Sequence, residues 1–220
     1  MNKFNKFCKK AINGVILSSI MLACTDTKQE MEETIFFKEY QTPHKTIPFD
    51  KIRLEDYLPS VKEAIKRHDA EIEAIVNNPN PANFENTIVA LERSGKYLSR
   101  VQYAFYNLLS AETSAEMDSI ANEISPLETE HSNNITLNEN LFKRIADVYA
   151  QKDSLNLTNE QRQLLQKQYD MFVNNGANLS AENKEIYRKL CKKISLLELQ
   201  FAQNVLNATN QYKLVVSEES

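Results

Sequence analysis

The chain has 220 residues, with 3 Gly, 6 Pro and no Trp. Sandwiches and propellers need Gly at turn positions of positive φ, and three Gly over this length exclude them. A hydrophobic content of 42% excludes wholesale disorder, and a net charge of −4 leaves no basic excess for a nucleic-acid binder.

The first elements are an address. Lys3, Lys6, Lys9 and Lys10 form a basic region. The uncharged run from Ala11 to Ala23 would span about 20 Å as a helix, against a hydrocarbon core of about 30 Å. It therefore reads as the apolar region of a signal peptide, too short for a good transmembrane helix. It ends in Met21-Leu22-Ala23-Cys24, which resembles a bacterial lipobox. Residues 1–23 are then a lipoprotein signal, and Cys24 is the lipid-attachment residue. A lipid there would hold the protein on a membrane of the cell envelope, facing the periplasm or the surface, without spanning it. An ordinary secretory signal cut nearby is the alternative.

Cys8 leaves with the signal and Cys24 is lipidated, so Cys191 is the one thiol left and no intrachain disulfide forms. Cys191 falls on a helical pattern, where a core role competes with a nucleophilic one. Residues 24–45 read as tether and extended lead-in, with Pro43 close to their end.

From residue 46 the chain reads as helices. The first starts near Pro59 and carries Val61, Ile65, His68, Ile72 and Ile75 on one stripe, until Asn77-Asn78-Pro79-Asn80-Pro81 stops it. The second follows Phe84-Glu85-Asn86-Thr87, with Ile88, Leu91, Gly95, Leu98, Val101, Phe105 and Leu108 along its seam. Gly95 inside that seam implies close approach of a neighbouring helix, or a kink. Ser114 caps a third helix that Pro126 should kink. A fourth spans about Glu139 to Gln151. Thr158 to Gln161 form a capping box opening a fifth, and Gly176 closes it. Ser180 caps a sixth, running to about Thr209 with Tyr187, Leu190, Ile194, Leu197, Phe201 and Leu206 on its stripe. Tyr212 to Val216 is short and β-branched and reads as a strand without a partner in the chain. The fold class is all-α, with long antiparallel helices and one terminal unpaired strand. An unpaired strand implies that the chain stops before the fold does.

Candidate chemistry is sparse. Zinc catalysis wants two His one helical turn apart with a carboxylate beside them. His44, His68 and His131 are the only histidines, and no two are four apart. His44 reads as solvated. His68 and His131 lie on apolar stripes, as core residues or ligands. Glu71, Glu73, Glu128 and Glu130 read as solvated helix faces. No nucleophile elbow, P-loop or dinucleotide fingerprint occurs. No catalytic, cofactor-binding or metal residue is assigned.

Three stretches carry more. They are Pro48-Phe49-Asp50-Lys51-Ile52 running into Asp56-Tyr57-Leu58-Pro59; Phe84-Glu85-Asn86-Thr87-Ile88-Val89-Ala90-Leu91-Glu92-Arg93-Ser94-Gly95, continuing to Leu98-Ser99-Arg100-Val101; and Gly176-Ala177-Asn178-Leu179-Ser180, followed by Phe201-Ala202-Gln203-Asn204-Val205-Leu206 and Thr209-Asn210. In order and spacing they resemble the N-terminal region of the thimet-oligopeptidase family of zinc metallopeptidases, in its bacterial peptidyl-dipeptidase and oligopeptidase A branch. Asn174-Asn175 departs from the Arg-Ser-like pair expected there.

The resemblance implies a clam-like helical enzyme that cleaves short peptides in a deep channel between two lobes. It implies zinc on an H-E-x-x-H helix, in a downstream half absent from this chain. Residues 46–220 would then be a helical lobe, incomplete at its C-terminus, that walls the channel. Its partners would be that missing catalytic region, short peptides, and a membrane through the anchor. A free-standing helical lipoprotein that binds peptides or a protein is the second reading.

Overall fold

The computed structural model describes residues 34–215. The signal segment and Cys24 lie outside them. Among the described residues the fold is all-α, and no helix is long and apolar enough to cross a membrane.

The stretch expected as extended lead-in forms 3-10 turns at Ile35–Phe37 and Pro43–Lys45, and a third, Phe49–Lys51, follows it. Phe36, Phe37 and Tyr40 are buried, so this stretch contributes to the core. Helix α1 spans Leu54–Val76 and begins ahead of the expected Pro59. The cause is a local cap: Arg53 N donates to Asp56 Oδ2 at 2.9 Å, and the Arg53 guanidinium holds the same carboxylate.

The expected second helix is three pieces. A π-helical segment, Phe84–Val89, runs into a single turn, α2, Ala90–Arg93. Ser94 is then extended and Gly95 has a φ of 70°, so the chain breaks and restarts as α3, Lys96–Ala111. Gly95 is thus the site of a break, more than a kink, and it is also a close approach. A Cβ there would stand 2.7 Å from the His68 ring.

Helix α4, Ala115–Thr136, is one element across Pro126. The carbonyl that Pro126 leaves free belongs to exposed Asn122, where water can satisfy it. Helices α5, Glu139–Tyr149, α6, Asn159–Asn174, and α7, Ala181–Gln211, follow. Their boundaries are chemical: Ser114, Asn138, Thr158 and Ser180 each accept the N–H three residues on. Gly176, at φ 87°, ends α6 as a left-handed cap.

The expected terminal strand is corrected. Residues 212–215 carry no strand, because extended backbone without a partner makes no ladder. Val216 lies outside the described residues.

Burial falls into two clusters. The first joins Phe36, Tyr57, Val61, Val101, Phe105 and Ile124, from the lead-in turns, α1, α3 and α4. The second joins Ile72, Ile75, Ile88, Leu141, Leu165 and Phe172, from the end of α1, the π segment, α5 and α6. In α5, Leu141, Ile145 and Val148 are fully buried at helical spacing, each worth about 1.5–3 kcal/mol. Helix α7 packs along α4 and contributes little to either cluster.

Candidate functional site

His68 and His131 are brought together. His131 Nε2 lies 2.9 Å from His68 Nδ1, and His68 Nε2 lies 3.0 Å from Ser94 Oγ. Ser94 Oγ also lies 2.7 Å from the Leu91 carbonyl, to which it can donate. On the far side Asp69 Oδ1 is 3.0 Å from His131 Nδ1, close enough for an ion pair but out of line for a hydrogen bond. Gly95 N donates to Glu71 Oε2 at 2.7 Å. His131 is 5% exposed and Asp69 reaches solvent. Burial pushes both imidazoles below their ordinary value; Asp69 opposes this at His131, and the neighbouring His131 reinforces it at His68.

The pairing joins residues 63 apart in sequence, which no motif scan reveals. The available signal was three polar interruptions in apolar seams, at His68, Gly95 and His131.

The two ring nitrogens that face each other are too close to hold a metal between them, since two Zn–N bonds of about 2.0–2.1 Å need about 4 Å. Among the described residues no three His, Cys, Asp or Glu side chains gather as a metal site. These residues do not fit the zinc that the resemblance implies.

The other singled-out residues stay apart. His44 is exposed in a 3-10 turn, with a φ of 56°. Cys191 is a half-buried free thiol beside Tyr187. Two of the carboxylates expected on solvated faces do other work. Glu71 caps the Gly95 N–H, and half-buried Glu128 accepts from Tyr106 Oη at 2.7 Å. Burial raises the Glu128 carboxyl despite that bond, and burial beside Glu128 drives the Tyr106 phenol far upward.

The most specific stretch of the sequence is structural here. Asn86 exchanges hydrogen bonds with Asn83 at 2.8 and 2.9 Å. Arg144 on α5 reaches Asn86 Oδ1 and the Asn78 carbonyl, each at 3.2 Å, and so pins the loop between α1 and the π segment. Phe84, Thr87 and Ile88 are buried below it.

Helix α7 presents an open apolar face. Ile186, Leu190, Ile194, Leu197, Phe201 and Val205 recur at steps of three and four, and each is about half exposed or more. Phe201 is 70% exposed. Leu190, Ile194, Leu197 and Phe201 of the expected stripe lie on this face, which nothing among the described residues covers. Beside it, Arg188, Lys189 and Lys192 line a groove of about 410 Å³ against Pro126 and Asn133 of α4.

No family model matches the chain. It is 36% identical over 176 residues to the dipeptidyl carboxypeptidase of Salmonella typhimurium, covering 80% of this chain and 26% of that protein. It is 35% identical over 179 residues to the dipeptidyl carboxypeptidase of Escherichia coli, covering 81% of this chain and 26% of that protein. Oligopeptidase A of Escherichia coli is 26% identical over 179 residues, with the same shares covered. The aligned helices are thus a segment homologous to the thimet-oligopeptidase family of peptidases. Within that family the likeness is to the dipeptidyl carboxypeptidase and oligopeptidase A branch. The chain spans about a quarter of the length of these relatives.

Proposed function

We propose that this chain is the N-terminal, non-catalytic part of a secreted zinc metallopeptidase that cleaves short peptides, and that it helps to wall the substrate channel. One observation carries the reading: the uncovered apolar face of α7. Six large side chains share one helix face, and a contiguous apolar stripe of that kind marks an interaction surface. In relatives about four times as long, further chain is available to cover such a face. On this reading the catalytic zinc and its ligands belong to that further chain. Cys24 anchors the assembly by its lipid to the bacterial envelope.

Incubation of the purified chain with zinc and a short peptide is expected to give no hydrolysis. Zinc-dependent turnover by this chain alone would overturn the non-catalytic assignment. Reading the nucleotide sequence past Ser220 tests the remainder: an in-frame H-E-x-x-H is expected, and a stop with no such motif nearby favours a free-standing binding protein. Cys24→Ala is expected to move the protein from the membrane to the soluble fraction. Retention on the membrane would remove the anchor from the proposal.

A further inference from the structure

Three elements leave the first core and join the second at the same level. Helix α1 does so between Ala64 and Ile72, and α4 between Ile124 and Ile135. The third element does so between Leu98 of α3 and Leu91 of α2. The residues at that level are His68, His131 and the Ser94-Gly95 break. The polar chain Asp69–His131–His68–Ser94 is therefore the layer that joins the two cores.

Its hydrogen bonds have a direction, because one proton lies between the two rings. With both rings neutral, one arrangement makes both hydrogen bonds of the chain and also turns a proton, not a lone pair, toward the Asp69 carboxylate. His131 keeps a proton on Nδ1 toward Asp69, His68 Nδ1–H donates to His131 Nε2, and the Ser94 hydroxyl donates to His68 Nε2. One added proton reverses the chain. A proton binds His68 Nε2, the His68 Nδ1 proton passes to His131 Nε2, and the Ser94 hydroxyl turns to the Leu91 carbonyl, 2.7 Å away. His131 is then an imidazolium facing Asp69. A second added proton has no place. Both facing nitrogens would carry hydrogen at 2.9 Å with no acceptor between them. His68 cannot retreat toward Gly95, where even a methyl group would collide with its ring.

We propose that Asp69–His131–His68–Ser94 is a proton relay that fastens the two cores while it holds at most one added proton, and that a second proton opens the joint. Titratable groups face it from two elements: Asp69 and Glu71 on α1 and His131 on α4. The break offers the uncharged Ser94 hydroxyl and Gly95 N–H. Ser94, Glu71 and Arg93 line one cavity of about 390 Å³, which gives the relay an end opposite Asp69. The depressed imidazoles agree in sign. Such groups leave stability intact above about pH 6.5, the ordinary imidazole value, and withdraw it as the pH falls through their folded values.

The test is side-chain NMR of the two imidazoles in the full chain from pH 8 to 5, with amide exchange at Gly95 and Ser99. His68 is expected as the Nδ1–H tautomer at pH 8, converting to Nε2–H in a first step coupled to His131. Exchange at Gly95 and Ser99 is expected to rise at least about tenfold in a second step. Asp69→Asn changes a solvent-reaching group and should leave the fold intact. It is expected to move the first step down by at least about 0.5 pH unit. A His68 that is Nε2–H at pH 8 would overturn the relay. So would two single-site curves that Asp69→Asn leaves unmoved. Exchange that stays flat through both steps would overturn the opening.

Discussion

The His68 ring occupies the space that a side chain on Gly95 would need. The Cβ of an alanine there would stand 2.7 Å from His68 Cε1 and 2.8 Å from Nδ1. It would also be held at a φ of 70°, where a non-Gly residue costs roughly 1–2 kcal/mol. Gly95→Ala therefore combines backbone strain with overpacking. Denaturant unfolding is expected to show a loss of about 2–4 kcal/mol. That corresponds to a fall in Tm of roughly 5–12 °C for a chain of this size. Adding His68→Ala should recover part of the loss, because the ring is relieved while the strain stays. Strict additivity of the two losses would refute the contact.

Lys184 makes a second testable joint. It is 7% exposed on α7, and its ammonium donates to the Leu137 carbonyl at 3.4 Å and to Glu139 Oε1 at 2.9 Å. It thus ties α7 to the corner between α4 and α5. Lys184→Ala strips the stem packing and leaves the carbonyl short of a partner, for an expected loss of about 1–3 kcal/mol. Glu139 is largely exposed, so Glu139→Gln is expected to cost far less than Lys184→Ala. Equal losses in urea titrations of the two variants would mean that the ion pair, not the carbonyl contact, holds the corner.

Helix identity was legible in the sequence because caps and stops are local chemistry. Ser114, Thr158, Ser180 and Gly176 act within a few residues of themselves, and the structure places them at the expected ends. The break at Ser94-Gly95 was not legible, because a glycine in an apolar seam fits a close contact and a broken helix alike. The histidine pair was invisible for a different reason. A contact between residues 63 apart depends on how α1 and α4 pack, which periodicity does not encode. The exposure of the α7 stripe was illegible for the same reason. Leu190, Ile194, Leu197 and Phe201 have the same spacing whether or not a neighbour covers them.

Glu128 gives a pH prediction with a definite sign. Burial raises its carboxyl above the usual range, and the bonds from Tyr106 and Gln102 only partly offset this. A raised carboxyl binds its proton more tightly folded than unfolded. Its contribution is complete below about pH 4.5 and is lost as the pH rises through the folded value. At pH 7 the ionised group is therefore a liability. Glu128→Gln keeps an acceptor for Tyr106 and removes the charge, so it should raise Tm at pH 7 and lose that advantage near pH 4. Tyr106→Phe does the opposite, leaving the carboxylate without its 2.7 Å donor, and should cost about 1–3 kcal/mol at pH 7. A Glu128→Gln variant that is less stable at pH 7 than at pH 4, relative to the parent, would contradict the burial argument.

The face of α7 separates folding from assembly. Leu197 and Phe201 are 53% and 70% exposed and belong to neither core. Replacing both with Glu removes little packing inside the chain, so unfolding free energy should change by no more than about 0.5 kcal/mol. The same substitutions place two charges in the middle of the apolar stripe. Binding of a hydrophobic-surface dye should then fall severalfold, and any concentration-dependent self-association with it. The two readouts must diverge if the face is a docking surface. If the double variant unfolds several kcal/mol more easily, the stripe is packing inside this chain, and the case for a covering partner goes with it.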